Sequence, residues 1–180
     1  MTTVEPIRNK QDLEKIKNRL LKTNFRDYVL FLFGINTGLR ISDILNLDVK
    51  DVKNKNFIQI KEQKTGKIKK FPINKYLKVI LKTYTKDKQE SLPLFKTVYD
   101  NRMDRITAYR IINKVCKNVH IEANIGTHTL RKTFGYFHYK TFKDVAMLQK
   151  IFNHSSPEIT LKYIGIEQEE IFKSYNNFFI

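Results

Sequence analysis

The segment from Phe25 to Asn36 is apolar around nearly the whole circumference of a helix. A helix with no polar face is stable only when other elements surround it, so this one is predicted to lie at the centre of the core. Gly38 follows closely, and a glycine at this place is typical of a left-handed residue that ends a helix. At 180 residues the chain is long enough to bury such a helix. We therefore expect a globular domain.

Apolar residues recur at helical spacing through most of the chain. The predicted helices run from Lys10 to about Lys22, Phe25 to Asn36, Arg40 to Asn46, Asn74 to Thr85, Asp104 to about Val119, His128 to about Lys140, Val145 to Phe152, from Ser156 through Tyr163, and from Glu167 to Ile180. In the middle, Asn56 to Ile60 alternates like a strand and Lys67 to Ile73 runs back, which predicts a hairpin with a further short strand near Val49 to Val52. The predicted fold class is mainly α with a small antiparallel β-sheet (α+β).

The charge of the chain favours a polyanionic partner. Lysine and arginine number 34 against 18 aspartates and glutamates, which gives a net charge of +16. This exceeds what solubility needs, so nucleic acid is expected before a membrane surface, with a merely basic surface as the alternative. The longest nearly apolar run, Tyr28 to Ile35, is too short to cross a membrane, and the chain opens without a basic and apolar leader. A cytoplasmic location is the expectation.

The tetrapeptide His128-Thr-Leu-Arg131 begins one of the predicted helices. Residues three apart on a helix share a face, so the imidazole and the guanidinium are presented together. The unpaired N–H groups and the positive end of the helix dipole already favour an anion at this place. The sequence therefore predicts an anion site here.

Further residues suit a phosphodiester held at this place. The set, in chain order, is Arg40, Lys64, His128, Arg131, His154 and Tyr163. Arginines can hold two phosphate oxygens with two parallel hydrogen bonds, and histidines exchange protons near neutral pH. A tyrosine can act as a covalent nucleophile, but ionising a phenol of pKa about 10 at pH 7 costs roughly 4 kcal/mol. Such a tyrosine needs positive charge and a proton acceptor nearby, and this set contains both.

The same residues carry a family resemblance. Thr37-Gly-Leu-Arg-Ile-Ser-Asp43, Lys64-Thr-Gly-Lys67, His128-Thr-Leu-Arg131, and His154-Ser-Ser with Tyr163 nine residues on resemble the catalytic domain of tyrosine recombinases, the phage integrase family. The resemblance covers roughly Lys10 to Tyr175. Each motif alone is weak, whereas four in the right order and at plausible spacing are specific.

The resemblance implies a chemistry of DNA strand breakage and rejoining without metal, ATP or other cofactor. Tyr163 would attack the scissile phosphate, giving a 3′-phosphotyrosyl link and a free 5′-hydroxyl. Arg40 and Arg131 would hold the phosphate, and His154 would hydrogen-bond it. Lys64 would protonate the leaving oxygen, and His128 would accept the tyrosyl proton. Double-stranded DNA is the implied partner, with a homotetramer on DNA and a monomer when free.

The chain departs from the family pattern in three places. Asn153 replaces the usual glycine before the second histidine, and Lys132 stands where many relatives have histidine. The N-terminal helical domain of the family is expected to be absent, which leaves a single catalytic domain over residues 1–180 with its core at 10–165. This is either a catalytic domain cut from a longer protein or a minimal enzyme. The segment from Glu167 to Ile180 has an aromatic stripe that either docks on a neighbouring protomer or folds back on its own domain.

Several alternatives remain open at this level. Arg40 alone fits a salt bridge with Asp43 or Asp48, Lys64 is one of five lysines in the hairpin, and Tyr175 is a rival nucleophile. Site-specific recombination is the favoured function. A type IB topoisomerase that only relaxes DNA, and a DNA-binding protein that has lost catalysis, are the competing hypotheses.

Overall fold

The central element is α2 (Phe25–Thr37), in which six consecutive side chains, Tyr28 to Phe33, are each no more than 5% exposed. The computed structural model describes residues 4–61, 66 and 68–179. The other helices in this range are α1 (Lys10–Thr23), α3 (Ile41–Leu45), α4 (Lys75–Thr85), α5 (Arg105–Asn118), α6 (Thr129–Phe142), α7 (Val145–Phe152), α8 (Pro157–Ile164) and α9 (Ile166–Asn176). Helices α1, α4 and α6 pack against α2, as its apolar circumference requires. None of the described helices has the length and apolar character needed to cross a membrane.

The predicted fold class is confirmed, and the hairpin forms close to its predicted bounds. Strands β1 (Phe57–Lys61) and β2 (Ile68–Pro72) pair antiparallel, with Ile58 opposite Phe71. Alternate residues of β1, Ile58 and Ile60, face the core.

The prediction of a strand near Val49 to Val52 is wrong, because this segment forms a 3₁₀ turn over Val49–Asp51. Asp48 and Asp51 form a reciprocal capping box across the turn, and the Asp48 N–H donates to Asp51 Oδ2 at 2.8 Å. These local side-chain bonds favour a turn over an extended strand. Val49 is nevertheless fully buried, which explains the strand-like apolar pattern.

Two apolar clusters meet along α6. The larger one surrounds α2 and includes Leu130 near the beginning of α6. The smaller one consists of Tyr136, Leu148, Phe152, Ile164 and Ile166. Because α6 contributes to both clusters, its first turns lie where α2, α7 and α8 come together.

Ile7, before α1, and Ile166, after α8, belong to these two clusters. Ile7 is 1% exposed, and its N–H donates to the Thr133 hydroxyl of α6 at 2.9 Å. Ile166, the first residue of α9, is also 1% exposed. The segment before α1 therefore packs across the first turns of α6.

Two glycines allow α2 and α6 to approach closely. A Cβ on Gly34 would lie 2.8 Å from the Leu130 Cβ, and a Cβ on Gly38 would lie 2.4 Å from the Phe134 ring. Gly38 also has φ +64, the left-handed conformation that ends α2. The end of α2 can thus contact α6 only with glycine at position 38.

Replacing Gly38 by alanine is expected to destabilise the domain through two separate effects. Left-handed strain contributes about 1 kcal/mol and overpacking against Phe134 a further ~1–3 kcal/mol in the free energy of unfolding, measured by urea denaturation. Gly66→Ala is the matched control, since Gly66 has φ +66 and no described residue lies within 4 Å of its added Cβ. Equal losses in the two variants would contradict the role given to Phe134.

Candidate functional site

Tyr163 occupies the centre of the predicted site, on α8. The Ser156 hydroxyl caps this helix by accepting from the Ile159 N–H at 3.3 Å, and Gly165 ends it with φ 76. The Tyr163 hydroxyl lies 3.1 Å from Nδ1 of His128, a hydrogen bond across 35 residues of sequence. Tyr163 and His128, which the sequence predicted to act together, are therefore neighbours in the fold.

His128 is free to make this contact because it does not cap its own helix. It occupies the residue before α6 with a helical backbone and no side-chain capping bond. The turn is closed instead by buried Thr129, whose hydroxyl accepts from the Gly126 N–H at 2.9 Å. Partial desolvation of the imidazole, then the charges of Arg131, Lys132, Arg105 and Arg40, lower the pKa of His128. Its ring is therefore neutral at pH 7 and can accept a proton.

Arg131 is almost completely buried, with 6% of its surface exposed. One terminal nitrogen donates to the Gly38 carbonyl at 2.6 Å and the other to the Phe152 carbonyl at 2.9 Å. The guanidinium also lies over the Phe152 ring at 4.3 Å, and its charge lowers the pKa of Tyr163. Burial lowers the pKa of Arg131 to about 10, so the group remains charged at pH 7. A guanidinium has five N–H donors, so these bonds leave donors for a phosphate.

Arg40 is half-buried and stands at the beginning of α3, two residues after Gly38. Its charge lowers the pKa of both His128 and His154. The same charge contributes to the lowered pKa of Arg131 and opposes the rise that burial causes in the pKa of Tyr163. The alternative salt bridge with Asp48 is not formed, because that carboxylate pairs with Arg102 at 2.7 Å. Arg40 thus lies close to every other described member of the predicted set.

His154 follows the end of α7, where Asn153 has φ 56. Asparagine therefore adopts the left-handed conformation that glycine usually supplies at a helix end. Nδ1 of His154 lies 3.0 Å from the Thr160 hydroxyl, and its ring centroid lies 5.0 Å from that of Tyr163. Burial, followed by the charges of Arg131 and Arg40, lowers the pKa of His154.

Two opposing effects act on the ionisation of Tyr163. Burial raises its pKa above the ordinary value, while the charges of Arg131 and Arg40 lower it. Burial is the larger effect, so the phenol is protonated at pH 7. A nucleophilic Tyr163 must therefore lose its proton during the attack itself.

Lys132 has a role at the site that the sequence did not predict. Its ammonium donates to the Val4 carbonyl at 2.7 Å and lies 5.0 Å from the centre of the Tyr163 ring. The side chain is 7% exposed, and this burial lowers its pKa. Val4 lies 128 residues away in the sequence, so no local pattern could have indicated the contact.

The structure brings together five of the six predicted residues, whereas Lys64 lies outside the described residues. The rival nucleophile Tyr175 is 79% exposed on α9. Over the described residues, no three His, Cys, Asp or Glu side chains are grouped so that they could hold a metal ion. The site thus places two charged arginines and two neutral histidines around one tyrosine.

Comparison with known proteins places this helical domain in a family. Residues 8–170 match the phage integrase family. The chain is 49% identical to the probable integrase/recombinase YoeC of Bacillus subtilis (strain 168), over 99% of this chain and 98% of the relative. The chain therefore belongs to the phage integrase family, the tyrosine recombinases, which cleave and rejoin DNA.

Solved structures share the fold. The crystal structure of XerA recombinase superposes with a TM-score of 0.77 at 20% identity, over 98% of this chain and 68% of that one. XerH site-specific recombinase bound to its palindromic difH substrate gives 0.71 at 19% identity, over 97% and 54%. Seven further curated relatives are longer, and this chain spans between 44% and 65% of their length. The shared part corresponds to the helical domain described above.

Substituting lysine for Arg131 is expected to lower the free energy of unfolding by about 1–3 kcal/mol, because one ammonium cannot bond both buried carbonyls. Urea denaturation measures the loss. Arg102→Lys is the matched control, since Arg102 also donates to two carbonyls, those of Leu45 and Leu47, but its side chain is 37% exposed. Water can replace the lost donors there, so we expect a smaller effect. Equal losses would contradict a structural role for burial at Arg131.

Proposed function

We propose that this protein is a site-specific DNA recombinase or integrase that cleaves and rejoins strands through a 3′-phosphotyrosyl intermediate on Tyr163. The observation that carries the proposal is the 3.1 Å contact between the Tyr163 hydroxyl and Nδ1 of His128, beside the charges of Arg131 and Arg40. Nucleophile, proton acceptor and anion-binding groups thus meet at one place. The net charge of +16 suits double-stranded DNA as the substrate.

In the proposed attack, the Tyr163 oxygen forms a bond to phosphorus while the bond from phosphorus to the 5′-oxygen breaks. His128 takes the phenolic proton, a role that its lowered pKa supports because the neutral ring has a free lone pair. The leaving 5′-oxygen receives a proton from Lys64, a role taken from the family resemblance alone. The free 5′-hydroxyl of another strand can then attack the phosphotyrosyl bond, which joins the two strands and releases Tyr163. One phosphodiester bond is replaced by another, so no external energy source is needed.

Arg40 and Arg131 are proposed to bind the non-bridging phosphate oxygens and to offset the charge that develops there. Arg131 would bind phosphate with the N–H donors that are not bonded to the carbonyls of Gly38 and Phe152. It would therefore bind the substrate and also hold two segments of the fold together. His154 would donate a hydrogen bond to the phosphate from Nε2, because its Nδ1 is bonded to Thr160. The groups are held before substrate arrives, which removes most of the cost of orienting them.

Tyr163→Phe is expected to abolish covalent attachment to DNA, since the ring remains but the nucleophilic oxygen is lost. The substrate is a nicked duplex carrying a site recovered by selection from random DNA, so that the released fragment diffuses away and the adduct accumulates. A denaturing gel shows the adduct. Tyr175→Phe, an exposed tyrosine on α9, is the matched control and should retain full adduct formation. An adduct persisting in Tyr163→Phe, or lacking in the wild type, overturns the assignment.

DNA that carries the selected site also distinguishes the competing functions. Strand exchange between two copies of the selected site supports recombination. Relaxation of a supercoiled plasmid without exchange would favour the type IB topoisomerase hypothesis instead. DNA binding with no adduct would favour a protein that has lost catalysis, although the preserved contact between His128 and Tyr163 speaks against it.

We also propose that the protein acts as a homotetramer on DNA and that the C-terminal segment docks on a neighbouring protomer. Helix α9 is attached to its own domain at its beginning, where Glu169 accepts from Tyr136 at 2.9 Å and pairs with Lys140 at 2.5 Å. Helix α9 ends at Asn176, short of the predicted Ile180. The side chains of Ile171, Phe172 and Tyr175 on α9, and of Phe178 and Phe179 after it, have exposed fractions of 49% to 96%. So many exposed large apolar side chains in one segment favour a partner surface over water.

Phe172→Asp is expected to reduce assembly on DNA, because a carboxylate cannot be buried in the proposed contact without a partner. Mass photometry of complexes with two selected sites counts the protomers, and fewer than four are expected. Leu21→Asp, an exposed apolar residue on α1, is the control and should leave four. Four protomers on DNA with Phe172→Asp would exclude docking through this stripe.

A further inference from the structure

Thr160 is a polar residue of α8 that is completely buried and lies directly behind His154. Its hydroxyl oxygen is 3.0 Å from Nδ1 of His154 and 3.2 Å from the Ser156 carbonyl. We propose that Thr160 is a positioning residue that accepts the Nδ1–H of His154 and thereby directs Nε2 toward the scissile phosphate. The proposal rests on the function proposed above and adds a residue that the sequence motifs did not single out.

Both contacts of the Thr160 hydroxyl contain a hydrogen only if Thr160 donates to the Ser156 carbonyl and accepts from Nδ1–H of His154. A threonine hydroxyl has one hydrogen and two lone pairs, whereas a carbonyl can only accept. The Thr160 hydrogen has an acceptor in the Ser156 carbonyl, which leaves a lone pair for Nδ1–H of His154. The tautomer of an imidazole is set by the bond that its inner nitrogen makes. In His154 that bond places the hydrogen on Nδ1 and leaves Nε2 to change its protonation.

The position of the ring is defined on its other sides as well. The His154 ring contacts those of Phe152 and Tyr163, with centroids 5.3 and 5.0 Å away. Its backbone is held by Gln149, whose side-chain amide donates to the His154 carbonyl at 3.1 Å. Of the ring's two nitrogens, the one facing Thr160 is thus bonded, and the other is the one available to a ligand.

The charged groups that act on this ring come from two other elements. They are Arg131 of α6 and Arg40 before α3, and both lower the pKa of His154, as does burial, the largest effect. Tyr163 of α8 is protonated and adds no charge. The ring is therefore neutral in the free protein at pH 7. A bound phosphodiester brings a negative charge that favours protonation of Nε2, which then donates to phosphate while Nδ1–H remains on Thr160.

The experiment compares Thr160→Val, which keeps the shape and removes the hydroxyl, with Thr160→Ser, which keeps the hydroxyl and removes a methyl group. The first measurement is nitrogen NMR of the His154 ring in the free protein, and His128 is the internal control. The wild type and Thr160→Ser should show hydrogen on Nδ1. In Thr160→Val the hydrogen should move toward Nε2, and the pKa of His154 should fall by about one unit, the equivalent of about 1.4 kcal/mol.

The second measurement is the pH profile of adduct formation on the nicked duplex. A protonated His154 is needed in the complex, so activity is present below its pKa there and is lost as the pH rises through it. Thr160→Val should therefore move the alkaline limb to lower pH by about one unit, which lowers the rate by about tenfold at pH values above the wild-type limb. The acid limb, which belongs to His128, should remain in place. Thr160→Ser should reproduce the wild-type profile.

The outcomes separate the positioning role from packing and from the proposed function. A rate lowered equally at every pH, or a limb that moves as much in Thr160→Ser, would mean that Thr160 acts through packing alone. Hydrogen on Nε2 in the wild type, or an unchanged ring in Thr160→Val, would overturn the proposal outright. The NMR measurement tests the bond between Thr160 and His154 and does not depend on adduct formation. A wild type that forms no adduct would therefore contradict the recombinase function without contradicting this bond.

Discussion

The buried guanidinium of Arg131 joins three parts of the chain that carry the site. It donates to the Gly38 carbonyl at the end of α2 and to the Phe152 carbonyl at the end of α7. Each of these carbonyls lies two residues before another member of the site, Arg40 in one case and His154 in the other. One side chain therefore sets the distance between the two segments, and a change at Arg131 alters both stability and site geometry.

A cation at this depth is unfavourable unless it is fully paired. The two carbonyls and the face of the Phe152 ring provide part of that pairing before any substrate binds. The same charge opposes the rise in the pKa of Tyr163 that burial causes. Arg131 thus links the folding of the domain to the ionisation of Tyr163.

The site also depends on segments that contribute no reacting group. The residues before α1 cross the beginning of α6, where Ile7 is bonded to Thr133 and the Val4 carbonyl holds Lys132 beside the Tyr163 ring. Glu169 attaches α9 to α6, and its pairing with lysines lowers its own pKa to about 2 despite partial burial. Helix α6 is thus held by the segment before α1 at its beginning and by α9 further along.

Local sequence patterns predicted the helices, and they singled out five described residues that the fold brings together around Tyr163. Helix bounds depend on neighbouring residues, such as Ser156 before α8 and Gly38 after α2, so the pattern predicted them within a few residues. The strand expected at Val49 to Val52 was wrong because two aspartates cap a turn there. The burial of Arg131 and the contact of Lys132 with the segment before α1 became visible only in the folded chain, because their carbonyl partners lie 21 to 128 residues away in the sequence. Thr160 is six residues from His154, but their contact depends on the turn between α7 and α8, which the sequence pattern does not specify.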